Sequence, residues 1–350
     1  MDKTIDVVGL GDLMIDFTHA GRTEDGIDLF ARNPAGSMAN VLSQVARLGG
    51  NCVLVTTLGA DEHSQYLYSV AEGLGIDMSC VAYGSWPTRF MFAYGGAGND
   101  RRFSDYRSPR NEAQTRLETV DMEKLRHSHF LDIKAIVFAP DDPIVETERE
   151  MLRVAEENGV TVTIDMQWRG IPLPEANRRV LVERARRCGV VKVTDEELAY
   201  YYDAEELMSG TDRVLADSST QIVAVTLGSR GCFLRTRRAH VYCPTYDVPV
   251  KDTTGAGDSF MGALLFCLAR TGTEIGRLDR AELERIGDFC NACASYSTMN
   301  RGSLLGMASL EKARWVQTTC SRLAVREDTR VSAPQFVNRC GGKEEIWSRL

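Results

Sequence analysis

Short apolar runs separated by stretches of helical period constrain this chain more than any other feature. Residues 5–10 read as a buried strand ended by Gly9 and Gly11, and CVLVTTLG, KAIVFA, VTVTID, GVVKVT and QIVAVTLG follow as further strands. Helical patterns lie between them, over 39–48, 64–73, 146–157, 175–187 and 196–208. Strands spaced by helices of this length predict a largely parallel sheet covered by helices on its faces. LGID leads toward an edge of that sheet, and His127 and His129 alternate on a strand-like HSHFLDI.

At 350 residues and 43% hydrophobic, the chain can bury a large core, as one α/β body with an insert or as two domains. The formal charge of −8 gives no support to a general nucleic-acid surface, although an acidic protein can still carry a positive site. The first residues lack a signal-peptide pattern, and no apolar run approaches the roughly 20 residues of a membrane helix. Ten cysteines are scattered rather than framed, which predicts reduced thiols and a cytoplasmic protein. Cys290 and Cys293 have CxxC spacing, but with no second pair and no histidine cluster they read as structural residues of a helix.

Two segments break the rhythm. Residues 14–35 are polar and turn-rich, and 87–109 alternate aromatic and polar residues around glycines. Both are expected to form short strands outside the main sheet, joined as a small flap over its carboxyl edge, where ligands of open α/β sheets bind. The resulting division is a core of 1–13, 36–86 and 110–315, a β lid of 14–35 and 87–109, and a helix or tail over 316–350.

DTTGAGDSF, residues 252–260, runs into an apolar helical segment. Gly255 and Gly257 let successive backbone N–H groups gather about one point, and a helix N-terminus adds unbonded donors that suit a phosphoryl oxygen. The stretch lacks the G-K-[ST] ending of a Walker A loop and the third glycine of a dinucleotide fingerprint. Asp258 is placed either to take a proton from a substrate hydroxyl or to cap the helix. Asp252 adds a carboxylate better placed for an ion. Gly228 and Gly231 in VTLGSRGCFL admit backbone close to a ligand, or simply shape a hairpin. Near the N-terminus, Asp12 and Asp16 follow the first strand, while Gly36 and Asn40 bracket a helix start. These residues supply hydrogen bonds to a polyol, or serve a turn and a helix cap.

AGSMANVLSQVARLGG and DTTGAGDSFMGALL resemble the two signatures of the ribokinase-like, or PfkB, carbohydrate kinases. VVGLGDLMIDF, VKVTDEEL, VTLGSRGCFL and NACASYSTMNRG also fall in family order, so the likeness spans about residues 5–310. It implies a doubly wound, mostly parallel α/β body with a small β-sheet lid, and ATP-dependent phosphorylation of a sugar with Mg2+. By the resemblance, Asp258 is the catalytic base and Gly255, Ala256 and Gly257 form the anion hole. Asp16, Gly36 and Asn40 are sugar contacts, with Asp12 beside them. Thr194, Thr226, Gly228, Gly231 and Asn291 fall on the nucleotide side. Glu197 would organise Mg2+ through water, and Asp252 and Thr254 would hold a monovalent cation such as K+. A homodimer through the lid is an arrangement the resemblance allows.

The chain departs from the pattern where Ala35 replaces the first glycine of a pair, a change expected to narrow the sugar site or shift its loop. Thr194 replaces the asparagine of N-x-x-E, and Met166-Gln167 replace Pro-Asn in a segment resembling DPNxR. Substrate likeness runs to bacterial fructokinases and 2-keto-3-deoxygluconate kinases. Fructose leads, and Arg89, Arg107 and Arg169 motivate a sugar-acid alternative. A nucleoside kinase and a non-catalytic ligand-binding member of the fold are further readings. An intact DTTGAGD argues against the last of these.

Overall fold

Paired apolar residues along each strand explain how the sheet is covered. The computed structural model describes residues 2–94, 102–103, 109–168, 170–324 and 329–334. Its main sheet contains β1 (Ile5–Leu10), β4 (Cys52–Gly59), β5 (Asp77–Gly84), β8 (Ser128–Lys134), β9 (Thr161–Asp165), β10 (Val190–Thr194), β11 (Ile222–Thr226), β12 (Cys232–Arg235) and β13 (His240–Cys243). The remaining strands, β2 (Met14–Arg22), β3 (Asp28–Ala35), β6 (Phe90–Tyr94) and β7 (Arg102–Phe103), form a second sheet.

The main sheet runs β13-β12-β11-β10-β9-β8-β1-β4-β5. Pairing is parallel from β11 to β5, and β12 and β13 add an antiparallel edge. Side chains alternate across a strand, so each strand feeds two cores. Val7, Leu54, Phe130, Val190 and Ile222 pack on one face with α1 (Ser37–Arg47), α2 (Glu62–Gly73), α8 (Ala256–Leu268), α9 (Arg280–Thr298) and α10 (Leu310–Thr319). Val8, Val53, Leu131, Val191 and Val223 pack on the other face. Their partners are α3 (Met122–Arg126), α4 (Pro143–Glu157), α5 (Glu175–Arg186), α6 (Asp195–Tyr202) and α7 (Leu207–Leu215). This is the doubly wound architecture, with a small separate sheet.

The small sheet runs β3-β2-β6-β7. Ile15, Phe17, Phe90 and Phe92 lie opposite one another in its register, and Phe17 stacks on Phe92 at 5.2 Å between ring centroids. Asp16, on the alternate face of β2, pairs in register with Asn33 and Met91. Ala35, the departure from a glycine pair, is the buried last residue of β3 opposite Met14, so a regular strand accommodates its methyl group.

Two elements differ from the sequence expectation. KAIVFA is not a strand, because β8 starts earlier, at Ser128, and stops at Lys134, level with the end of β9 at Asp165. Beyond that level neither neighbour offers backbone to pair with. The helix expected over 196–208 divides in two, because Asp203 adopts a left-handed conformation (φ 50°) at the end of α6.

After α10 the chain continues as an arm. Arg322 bridges to Tyr246, and Arg330 bridges to Glu206 in the turn between α6 and α7. Nine cysteines among the described residues are free thiols, and Cys290 and Cys293 are buried in α9. Among the described residues no helix is long and apolar enough to cross a membrane.

Candidate active site

Strand order reverses at β1, which stands between β4 and β8, and the crevice outside their carboxyl ends gathers the polar residues. Asp12 follows β1 directly. Its Oδ1 accepts hydrogen bonds from Ser37 Oγ (3.2 Å) and from the Met38 backbone N–H (3.1 Å), tying this turn to the start of α1. Gly36 enters that helix at φ 122°, and a Cβ there would lie 2.5 Å from the Asp12 carbonyl oxygen. Only glycine fits such a close approach. One turn on, Asn40 Nδ2 donates to Asp258 Oδ2 at 2.8 Å, while Asn40 Oδ1 is buried without a hydrogen-bond partner.

Asp258 is the third residue of α8, whose N-cap is Gly255 at φ 80° with no side-chain cap. A Cβ at Gly255 would lie 2.6 Å from Ser303 Cβ. The Asp258 carboxylate is held by side chains of other elements. Its second oxygen, Oδ1, accepts from Gln167 Nε2 at 2.9 Å. Two side-chain amides therefore hold it, and helix capping does not account for its orientation. Gly255, Ala256 and Gly257 form the helix start, where first-turn N–H groups lack intrahelical acceptors and favour an anion, although the Ala256 N–H donates to the Thr253 carbonyl at 3.2 Å. Gly257 lies over a cation, since a Cβ there would be 3.0 Å from Lys192 Nζ.

The crevice mixes buried charges of both signs. Lys192 Nζ is 2.7 Å from Asp165 Oδ2, which also accepts from Gln167 Nε2 at 3.4 Å. Lys134 lies 3.4 Å from Asp12 Oδ1 and donates to Ser37 Oγ. Burial pushes the Asp258 carboxyl above the usual carboxylate range; Lys134, then the Asn40 hydrogen bond and Lys192, act against that rise, and Asp165 adds to it. Burial likewise pushes Asp132, on β8, up to about 7.

On the proposed nucleotide side, Thr194 caps α6. Its Oγ1 accepts from Glu197 N at 3.1 Å, while Glu197 Oε2 accepts from Thr194 N at 2.8 Å. Glu197 Oε1 accepts from the Trp168 N–H at 2.7 Å, so both carboxylate oxygens are engaged by backbone. Burial pushes this carboxyl up to about 7, aided by Asp165 and opposed by Lys192. Thr226 ends β11. After it, Gly228 turns at φ 58° with open space around its Cα, whereas a Cβ at Gly231 would lie 2.0 Å from the Cys243 carbonyl oxygen. Asn291 is buried in α9 and donates to the carbonyls of Cys243 (2.9 Å) and Pro244 (3.3 Å), so it shapes the wall of this region.

Asp252 Oδ1 accepts from Thr254 N at 2.9 Å, and Oδ2 accepts from Gly302 N at 3.4 Å, which joins the loop before α8 to the loop after α9. Among the described residues no cluster of three or more His, Cys, Asp or Glu side chains could hold a metal ion. Arg89 is engaged by Glu112 at 2.9 Å, with both side chains largely buried. Arg107 and Arg169 lie outside the described residues.

Sequence reasoning missed Lys134, Lys192 and Asp132, and it noted Gln167 only as a departure. The available signal was a charge inside an apolar strand, as in VVKVT and SHFLDIK. Such a charge is buried only when a partner waits for it.

The pfkB family carbohydrate kinase model matches residues 4–309. Probable fructokinase-3 of Arabidopsis thaliana is 29% identical over 309 residues, covering 85% of this chain and 87% of its own. A fructokinase from Xylella fastidiosa, solved with bound ATP, matches with a TM-score of 0.78 and 24% identity, covering 89% of this chain and 98% of its own. A fructokinase double mutant from Vibrio cholerae O395, solved with fructose, ADP and potassium ion, matches with a TM-score of 0.76 and 20% identity. That match covers 91% of this chain and 99% of the other.

Proposed function

The chain belongs to the pfkB family of carbohydrate kinases, and on that premise we propose that it transfers the γ-phosphoryl group of ATP to a hydroxyl of a small ketose, fructose. The observation that carries this reading is the Asp258 carboxylate, fixed by Asn40 and Gln167 beside a glycine-built helix start. The names of the relatives and structural neighbours add fructose, and the ATP, ADP and potassium ion bound in two of those structures add the donor and a cation.

In the proposed reaction the attacking hydroxyl approaches Asp258, which orients it and accepts its proton as the bond to phosphorus forms. N–H groups of Gly255, Ala256 and Gly257 take up negative charge on the transferred group. Asp12, Asp16, Gly36 and Asn40 frame the sugar, and the small sheet closes over it and excludes water. The nucleotide lies along Thr194, Thr226, Gly228 and Gly231, with Asn291 shaping the wall. MgATP is the donor substrate, and Glu197, whose oxygens accept from Thr194 N and Trp168 N, would order water around its ion through their remaining lone pairs. Asp252 and Thr254 would hold K+, for which a carboxylate is a suitable hard donor.

Two wider features belong to the proposal. The half-exposed aromatic face of the small sheet is covered by a second copy of the chain, and the buried free thiols suit the cytoplasm. The sugar-acid alternative is weaker, because Arg89 is engaged by Glu112.

A panel of ketoses, aldoses, a 2-keto-3-deoxy sugar acid and a nucleoside, read as ADP release and product mass, tests the assignment. Fructose is expected to give the highest kcat/KM and a monophosphate product. A sugar acid or nucleoside outrunning every neutral ketose would overturn it.

A further inference from the structure

Lys134 ends β8 at the floor of the crevice, where its side chain is only 7% exposed. Gly11 makes room for it, since a Cβ at that position would lie 3.0 Å from Lys134 Cγ and Cε. Its ammonium donates to Ser37 Oγ and lies 3.4 Å from Asp12 Oδ1. Ser37 is the first residue of α1, and Asn40, three residues on and therefore on the same face, donates to Asp258 Oδ2. A continuous path thus runs from the ammonium through the first turn of α1 to the reacting carboxylate.

We propose that Lys134 is a positioning residue for phosphoryl transfer, anchoring the sugar-side end of α1 and supplying the positive charge that keeps Asp258 ionised. This rests on the reading of Asp258 as the base. The charged groups around that carboxylate are Lys134 and Asp132 on β8, Asp165 on β9 and Lys192 on β10. Asp12 borders Lys134 from the turn after β1. Lys192 is largely matched by Asp165 at 2.7 Å, and Asp132 and Asp165 both oppose ionisation of Asp258. Lys134 is paired more loosely, 3.4 Å from Asp12 Oδ1 and donating to the Ser37 hydroxyl, and it acts most strongly against the rise that burial imposes on Asp258. A charge held in a dry crevice acts over several ångströms with little screening.

The test compares pH profiles of kcat/KM for the ketose in the wild type, Lys134→Met, Lys134→Arg and Ser37→Ala. Removing the cation raises the proton affinity of Asp258, so the acid limb of Lys134→Met should move upward by about one pH unit. KM for the ketose should rise with it, because the start of α1 is no longer anchored. Lys134→Arg should return the limb toward the wild-type position. Ser37→Ala, which removes the anchor but keeps the charge, should shift the limb less and covers the case in which Lys134→Met does not fold. An unmoved acid limb in Lys134→Met, or, if Lys134→Met does not fold, an unchanged KM for the ketose in Ser37→Ala, would overturn the proposal. Asp258→Asn separates the two layers. If it stays active, the reading of the base fails. If it is inactive while the limb stays put, the role of Lys134 alone fails.

Discussion

Two amides on one carboxylate define the site at the scale of single residues. Asn40 and Gln167 approach Asp258 from elements far apart in sequence, and Gln167 does so from a left-handed backbone (φ 40°) that a non-glycine residue seldom adopts. The glycines were legible in the sequence, because a position that must turn tightly or meet a neighbour's backbone admits no other side chain. Gly36 and Gly255 both meet that condition. Gln167 and the lysines were not legible, since their meaning depends on partners that the folded sheet brings together. Asp132 carries a prediction at this scale. Burial pushes its carboxyl up to about 7, offset in part by Lys134 and a hydrogen bond from Thr163. In the unfolded chain an aspartate ionises near about 4, so rising pH between these values releases a proton from the unfolded state first and erodes stability. Asp132→Asn removes that penalty and still accepts from Thr163. Its melting temperature should exceed the wild type's at pH 8, with the gap narrowing toward pH 5. A gap that widens on acidification would contradict the assignment.

Among the elements, strands were legible where apolar runs coincide with buried parallel neighbours, as in β4, where all eight residues are buried. The misread ends share one cause. KAIVFA is apolar enough for a strand but extends past the backbone of its neighbours, and a single left-handed Asp203 divides what period alone joins. The C-terminal arm was not legible, because its contacts are long-range hydrogen bonds. Leu207 N donates to Thr329 O at 2.7 Å, and Ser332 N donates to Asp195 Oδ2 at 3.0 Å. Arg230, in the turn between Gly228 and Gly231, bonds to Asp195 and to the Arg330 carbonyl (3.2 Å), and so joins the arm to the turn proposed to face the nucleotide. Losing such charge-assisted bonds is worth about 1.5 kcal/mol or more. Arg230→Ala should therefore raise KM for ATP by roughly tenfold while leaving KM for the sugar near its wild-type value. A change confined to the sugar KM would place the turn elsewhere.

For the whole molecule, topology does what no single motif can. A sheet that grows in two directions from β1 brings residues 12, 36–40, 132–134, 165–167, 192–197 and 252–258 to one edge. A chain with a net charge of −8 thereby buries Lys134 and Lys192 at the edge proposed for phosphoryl transfer. Net charge sets solubility and long-range steering, whereas the local cations set what the crevice accepts. The parallel, helix-covered sheet was readable from the alternation of strands and helices, and its two-directional winding from the family resemblance. The convergence of charges was not, because it follows from strand order.

The most direct measurement is steady-state turnover of Asp258→Asn beside the wild type, with fructose and MgATP as substrates and binding of each followed independently. The substitution keeps the shape of the side chain and removes its basicity. Turnover should fall by about 10²–10⁴-fold, the range for loss of a general base, while both ligands still bind. A correctly folded Asp258→Asn protein that turns over fructose at close to the wild-type rate would contradict the account.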